Sequence, residues 1–442
     1  MALKVGRRFI VAPGGALHGE FRVPGDKSIS HRSVMLGSIA EGETRVEGFL
    51  EGDDAMATLA AMRALGVEIE GPEDGRLRIR GVGLHGLQAA DAPLDLGNSG
   101  TSMRLFSGLL AGQPFVSELV GDASLMRRPM RRVTDPLTRM GARIGTAPNG
   151  TAPLRIEPAP GLRGIDYEMP MASAQVKSAL LLAGLYAEGE TCVTEPAVTR
   201  DHTERMLEAF GVPVTVEGPR VRVTGEASLT GGEIAVPGDI SSAAFFLVGA
   251  SIASQASLTL TNVGLNPTRT GVIDILQRMG ASIHIDARHT GAGEPVGRIT
   301  VEPAPLQGID IPPELVPLAI DEFPAIFVAA ACARGETVLR GAEELRVKES
   351  DRIAVMAEGL ASLGIEVHPQ PDGIRIVGGQ LQGGHVRACG DHRIAMSFAM
   401  AALAADGPVT IDDCAEVDTS FPGFVELAHD AGLAIRAEEM SA

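Results

Sequence analysis

Leu65-Gly66-Val67-Glu68-Ile69 joins an apolar-periodic stretch to an alternating one, and the same junction is written five more times along the chain. It returns as Met140-Gly141-Ala142-Arg143-Ile144, Phe210-Gly211-Val212-Pro213-Val214, Met279-Gly280-Ala281-Ser282-Ile283, Leu363-Gly364-Ile365-Glu366-Val367 and Ala431-Gly432-Leu433-Ala434-Ile435. Glycine suits the left-handed residue that closes a helix. Each junction therefore reads as helix, cap, strand. The helix follows from apolar spacing such as Met56, Leu59, Ala60, Met62 and Leu65; the strand follows from alternation such as Val67 and Ile69.

A second phrase lies upstream of this one in several copies. A small-residue helix ends in a turn and a strand at residues 38–46, and similar text stands at 185–193 and 332–338. The unit reads helix, strand, helix, strand, with extra strand text after the second helix. A longer match halves the six copies: Val23-Pro24-Gly25-Asp26 recurs as Val236-Pro237-Gly238-Asp239, each before a helix rich in Ser and Ala. A Pro-Gly pair suits a chain crossing between domains. The expected division is one domain of residues 25–238 and one of 239–442 completed by residues 1–24.

Composition sets the outer limits. A chain of 442 residues is long for one core. Apolar residues make up 45% and charged residues 21%, as in an ordinary globular protein. There is no Trp, so the core must be aliphatic. The four cysteines show no CxxC spacing, and the ten histidines form no metal-ligand pattern. No metal site is expected. No stretch reaches the roughly 20 apolar residues of a membrane span. With no signal-peptide text at the N-terminus, a cytoplasmic protein is expected. A net charge of −18 argues against nucleic acid and anionic lipid as partners. Any basic site must then be a local pocket.

Several basic motifs stand where helices begin. Lysine is used four times only, and Lys27 and Lys348 sit inside dense polar text. Asp26-Lys27-Ser28-Ile29-Ser30-His31-Arg32 opens a helix and could be an anion site or an ordinary N-cap with surface charge. Gly97-Asn98-Ser99-Gly100-Thr101-Ser102-Met103-Arg104 follows the same logic, with glycines that let backbone approach a ligand. Arg127, Arg128, Arg131 and Arg132 would stack at i,i+4 on one helix, where like charges repel unless an anion intervenes. Ser173-Ala174-Gln175 starts a further helix, and Thr199-Arg200-Asp201-His202-Thr203-Glu204 reads as a capping box. In the second half, Asp321-Glu322 precedes an Ala-rich helix. Arg346-Val347-Lys348-Glu349-Ser350-Asp351-Arg352 alternates charge, and Gly390-Asp391-His392-Arg393 opens another helix. Such helix starts in both domains suit a cleft that binds two small anions and transfers protons.

Taken together and in this order, these motifs resemble the 5-enolpyruvylshikimate-3-phosphate synthase family, from about residue 10 to 436. Arg128-Pro129-Met130-Arg131 and Arg200-Asp201-His202-Thr203-Glu204 are similar to its bacterial class II form. The resemblance implies an α/β fold, a two-domain inside-out α/β barrel of six βαβαββ units, three per domain about a pseudo-threefold axis. It implies an active site in the interdomain cleft. Phosphoenolpyruvate would be held by Lys27, Gly100, Arg128, Gln175, Arg352 and Arg393. Shikimate 3-phosphate would be held by Lys27, Ser28, Arg32, Ser173, Ala174, Gln175, Arg200, Asp321 and Lys348. Asp321, Glu349 and Lys27 would be catalytic. The resemblance implies no metal and no organic cofactor, and a monomer inhibited by glyphosate is expected.

Two positions depart from the class I pattern: Ala174 stands where that form has a second serine, and Asp418-Thr419-Ser420-Phe421-Pro422 lacks its lysine. The nearest rival, the UDP-N-acetylglucosamine enolpyruvyl transferases, generally uses a loop cysteine, and no cysteine stands between Gly97 and Arg132. An RNA- or partner-binding repeat protein is the rival outside enzymes.

Overall fold

The computed structural model of the chain describes residues 6–288 and 293–440. It separates into two compact units. The terminal unit takes the chain up to Pro24 and from Pro237 onward; the central unit is Gly25–Val236, with which Glu294 is also grouped.

All six repeated junctions close helices in one way. The glycines have φ of +88°, +101°, +88°, +96°, +84° and +106° in chain order. Gly66 N–H reaches Arg63 C=O, and Val67 N–H reaches Met62 C=O, which is the Schellman pattern. Gly141/Ala142, Gly211/Val212, Gly280/Ala281, Gly364/Ile365 and Gly432/Leu433 repeat both bonds. The residue after each glycine is buried over a buried helix residue, as Val212 is over Leu207. Nothing lies within 4 Å of a Cβ built on Gly211, so only the backbone opposes a side chain there. Gly211→Ala is expected to lower the unfolding free energy by about 1–2 kcal/mol. Gly364→Ala should cost about the same, because the neighbouring Gln382 side chain is exposed and can swing away from the added Cβ. Urea titration of both variants checks this.

Each copy pairs an inner helix with an outer one. The central unit holds α1 (Lys27–Ile39), α2 (Asp53–Ala64), α3 (Gly100–Ala111), α4 (Arg131–Arg139), α5 (Ala174–Gly184) and α6 (His202–Ala209). The terminal unit holds α7 (Ile240–Ile252), α8 (Gly271–Arg278), α9 (Phe323–Cys332), α10 (Arg352–Ser362), α11 (His392–Ala401) and α12 (Phe424–Asp430). The first, third and fifth helix of each unit are almost wholly buried, and their charged side chains stand within the first six residues. The later turns have no polar face and can only form the centre. The even-numbered helices keep exposed residues and lie outside.

The strands wrap these helices in one recurring order. Glu41–Glu47, which follows α1, pairs in parallel with Glu233–Ala235 and antiparallel with Arg76–Val82, which continues to Glu68–Glu73. The same order is found around Ser117–Val120 and Glu190–Thr194. In the terminal unit it is found around Gln255–Gly264 and Val409–Asp412. At Glu336–Leu339 the parallel neighbour shrinks to a bridge between Asp310 and Val338.

Ring closure explains why the chain start belongs with its second half. Gly6–Val11 is the middle strand between Val409–Asp412 and Ile435–Met440. Ala16–Phe21 is the parallel neighbour of Gln255–Gly264. Without these two strands one copy would lose its centre and another its edge. The fold is thus the expected α/β barrel turned inside out, with helices at the centre of each unit and six repeat units in all.

Candidate active site

The inner helices of the central unit run parallel, so their N-termini gather. Thr101 and Arg104 of α3 meet Gln175 of α5: Gln175 Nε2 donates to Thr101 Oγ1 at 2.9 Å, and Arg104 Nη1 donates to Gln175 Oε1 at 2.5 Å. On the α1 side, Ser102 Oγ lies 3.3 Å from His31 Nδ1. Asp26, Ser99 and Ser173 cap the three helices through their side chains. Three helix starts with N–H groups pointing one way attract anions.

Cations then stand among these N–H groups. Lys27 Nζ lies 3.0 Å from Asp54 Oδ2. Arg128 Nη2 donates to Asn98 Oδ1 at 2.5 Å. Arg32 is buried and donates to Ser28 C=O (2.9 Å), Thr203 Oγ1 (2.7 Å) and Ser178 Oγ (2.8 Å). Burial lowers its pKa to about 10, opposed by Glu204 and Asp26, so it remains a cation at neutral pH. His31 is held neutral, mainly by burial and then by Lys27 and Arg32. Gly100 is hemmed in by cations: a Cβ there would sit 2.9 Å from Arg104 Nη1 and 3.0 Å from Arg128 Nη1.

The terminal unit repeats the arrangement with more carboxylates. Asp239 caps α7, and Asp391 caps α11. Arg269 Nη2 donates to Asp239 Oδ1 at 3.0 Å and to Ser241 Oγ at 2.8 Å, and Ser241 Oγ donates to Glu322. Arg393 Nη1 donates to the Asp321 carbonyl at 3.0 Å. Arg352, 1% exposed, donates to Asp391 (2.8 Å), Asp321 (3.2 Å) and Glu349 (2.6 Å). Burial opposes that charge, but Asp391, Glu349 and Asp321 outweigh it and raise the pKa of the guanidinium. Lys348 Nζ lies 3.2 Å from Asp321 Oδ1 and 3.0 Å from Glu344 Oε1.

The structure thus groups the expected site residues by unit. Lys27, Ser28, Arg32, Gly100, Arg128, Ser173, Ala174, Gln175 and Arg200 stand at or beside helix starts of the central unit. Asp321, Lys348, Glu349, Arg352 and Arg393 do so in the terminal unit. Two local expectations need correction. The arginine run is not one helix: a short 3₁₀ turn ends at Arg127, Arg128 is extended before Pro129, and α4 starts at Arg131. The extended residue before the proline frees Arg128 from the row of like charges. Nor is residues 199–204 a capping box. Asp201 holds the cap position without a capping bond and accepts from Arg205 Nε instead, while Glu204 points to Lys177. In the segment that lacks the class I lysine, Asp418 pairs with Arg7 Nη1 at 2.8 Å.

Some members of these groups carry little sequence signal. Asp54 reads as a first-turn acid of α2, and Arg269 stands outside every repeated phrase. Their roles come from tertiary approach.

Two threefold units with cationic helix starts in one chain define an α/β enzyme built to bind small anions. The family model for EPSP synthase (3-phosphoshikimate 1-carboxyvinyltransferase) matches residues 11–427. The 3-phosphoshikimate 1-carboxyvinyltransferase of Alkalilimnicola ehrlichii is 68% identical over 428 residues, covering 97% of this chain and 96% of the relative. That of Methylococcus capsulatus is 65% identical, covering 97% and 98%. A solved structure of EPSP synthase from Acinetobacter baumannii matches with a TM-score of 0.88 at 56% identity, covering 98% of this chain and all of that one. The chain belongs to the EPSP synthase family.

Proposed function

We propose that this protein transfers the enolpyruvyl group of phosphoenolpyruvate to the 5-hydroxyl of shikimate 3-phosphate, releasing phosphate. It is a transferase of the shikimate pathway, which leads to aromatic amino acids. The observation that carries this reading is the family match across residues 11–427 together with relatives of two-thirds identity over nearly the whole chain.

The reading assigns the site residues as follows. Lys27, Gly100, Arg128, Gln175, Arg352 and Arg393 hold phosphoenolpyruvate. Lys27, Ser28, Arg32, Ser173, Ala174, Gln175, Arg200, Asp321 and Lys348 hold shikimate 3-phosphate; Ala174 offers only its backbone. The 5-hydroxyl oxygen adds to C2 of phosphoenolpyruvate, and Asp321 takes the hydroxyl proton. C3 gains a proton through Glu349 and Lys27, giving a tetrahedral ketal. Loss of that proton from C3 then expels phosphate and forms the enol ether. Fixed cations stabilise the carboxylate and the departing phosphate without reorganising during the step.

Mixing the two substrates with the enzyme should release one phosphate per enol ether formed. Phosphate release with UDP-N-acetylglucosamine in place of shikimate 3-phosphate would favour the sister reaction. The protein is further proposed to be a cytoplasmic monomer; among the described residues no helix is long and apolar enough to cross a membrane.

Glyphosate is proposed to occupy the phosphoenolpyruvate site. A methyl at Gly100 would press on the Arg104 and Arg128 guanidinium groups. Gly100→Ala is expected to raise the glyphosate inhibition constant at least tenfold, with a smaller rise in KM for phosphoenolpyruvate. Competition kinetics decide it; equal inhibition of both forms removes the steric argument.

A further inference from the structure

The central unit buries a charged cluster that the reaction does not consume. Lys177 is 2% exposed; its Nζ contacts Glu195 Oε1 and lies 2.6 Å from Glu204 Oε1. Both carboxylates are buried as well. Two carboxylates on one ammonium leave a formal excess of negative charge in a dry place, which is costly unless other charges answer it. Burial opposes the Lys177 charge, yet Glu204 and Glu195 outweigh it and raise its pKa; burial also pushes the Glu204 carboxyl up.

The cluster is wired outward in two directions. Glu195 Oε2 accepts from Thr199 N–H at 2.8 Å and from Thr199 Oγ1 at 2.6 Å. Thr199 is the residue before Arg200, so Glu195 grips the backbone that carries that guanidinium. In the next row, Thr203 Oγ1 donates to Ser178 Oγ at 2.7 Å, and Arg32 donates to both oxygens. Ser178 follows Lys177, and Thr203 precedes Glu204. Arg200 disfavours the charge on Arg32, whereas Glu204 favours it. Two mutually repelling guanidiniums are therefore served by one buried anionic group.

We propose that Lys177, Glu195 and Glu204 are positioning residues for the phosphate end of shikimate 3-phosphate. Glu195 fixes the Thr199–Arg200 segment, Glu204 balances Arg32, and Lys177 sets the spacing of the two carboxylates. The proposal rests on the reading that Arg32 and Arg200 hold shikimate 3-phosphate.

The test is calorimetric titration with shikimate 3-phosphate, since a chain without Trp offers little fluorescence signal. Glu195→Ala is expected to weaken that binding at least tenfold while KM for phosphoenolpyruvate stays within twofold. Should it fail to fold, Glu195→Asp, one methylene shorter, takes its place. Glu195→Gln keeps an acceptor for Thr199 and leaves Lys177 paired with Glu204, so it should recover most of the binding lost in Glu195→Ala. Unchanged binding in Glu195→Ala, equal losses for both substrates, or a Glu195→Gln variant as weak as Glu195→Ala overturns the triad. Wild-type protein that does not bind shikimate 3-phosphate overturns the substrate reading, and the triad's role with it.

Discussion

Asp391→Ala is expected to lower the stability of the terminal unit by about 3–5 kcal/mol, the usual cost of removing one partner from a buried ion pair. Asp391 is fully buried and does four things. It accepts from Arg352 Nε at 2.8 Å, from Ser350 Oγ at 3.0 Å and from Arg393 N–H at 3.0 Å, the last as the cap of α11. It also supplies the largest of the carboxylate effects that keep the buried Arg352 charged. Without it, the guanidinium retains Asp321 and Glu349, whose side chains are 15% and 22% exposed and so more weakly felt. Asp391→Asn keeps a capping acceptor but turns an amide toward Arg352, so it should recover only the cap, about 1 kcal/mol. Denaturant midpoints for the three proteins provide the check. A loss under about 1 kcal/mol in Asp391→Ala would mean that water reaches Arg352, contrary to its burial.

Much of this fold could be read before any coordinates. The six glycines state where helices end, because only a left-handed residue completes the Schellman bonds that Gly66 and its five counterparts make. The Val-Pro-Gly-Asp pair marks Asp26 and Asp239 as caps of the first inner helix in each unit, and both accept from backbone N–H groups in the first turn. Local chemistry decides such features, so sequence carries them. The arginine run was misread because i,i+4 spacing was counted across Pro129, whose ring imposes an extended residue before it. The Thr199–Glu204 segment was misread for a different reason. Its spacing fits a capping box, but Lys177 lies on another helix and draws Glu204 inward. The Lys177 ammonium, 2.6 Å away, takes the carboxylate that a capping box would need. Likewise Asp54, Asn98 and Arg269 gain their roles from residues distant in sequence, and no local pattern announces that.

Glu349→Gln is expected to reduce kcat by about 10²–10⁴, the range attached to a positioned proton-transfer group, with folding nearly intact. Arg352 is the reason to separate the two effects. Its Nη1 donates to Asp321 and its Nη2 to Glu349, so one planar fork sets the distance between the two proposed proton-handling carboxylates. A glutamine oxygen at position 349 can still accept from Nη2, which preserves the spacing, but the amide cannot carry a proton to and from C3. The loss should therefore appear equally in kcat and kcat/KM, as for an interaction made only in the transition state. Asp321→Asn should behave likewise through the 5-hydroxyl, though with weaker binding of shikimate 3-phosphate, because that carboxylate also meets Lys348 at 3.2 Å. If the two carboxylates act as a unit, the double variant should be scarcely slower than the worse single one. Initial rates of phosphate release, with the unfolding midpoint measured on the same samples, test this. A kcat within threefold of wild type for Glu349→Gln removes that residue from the proton path and leaves it as a brace for Arg352.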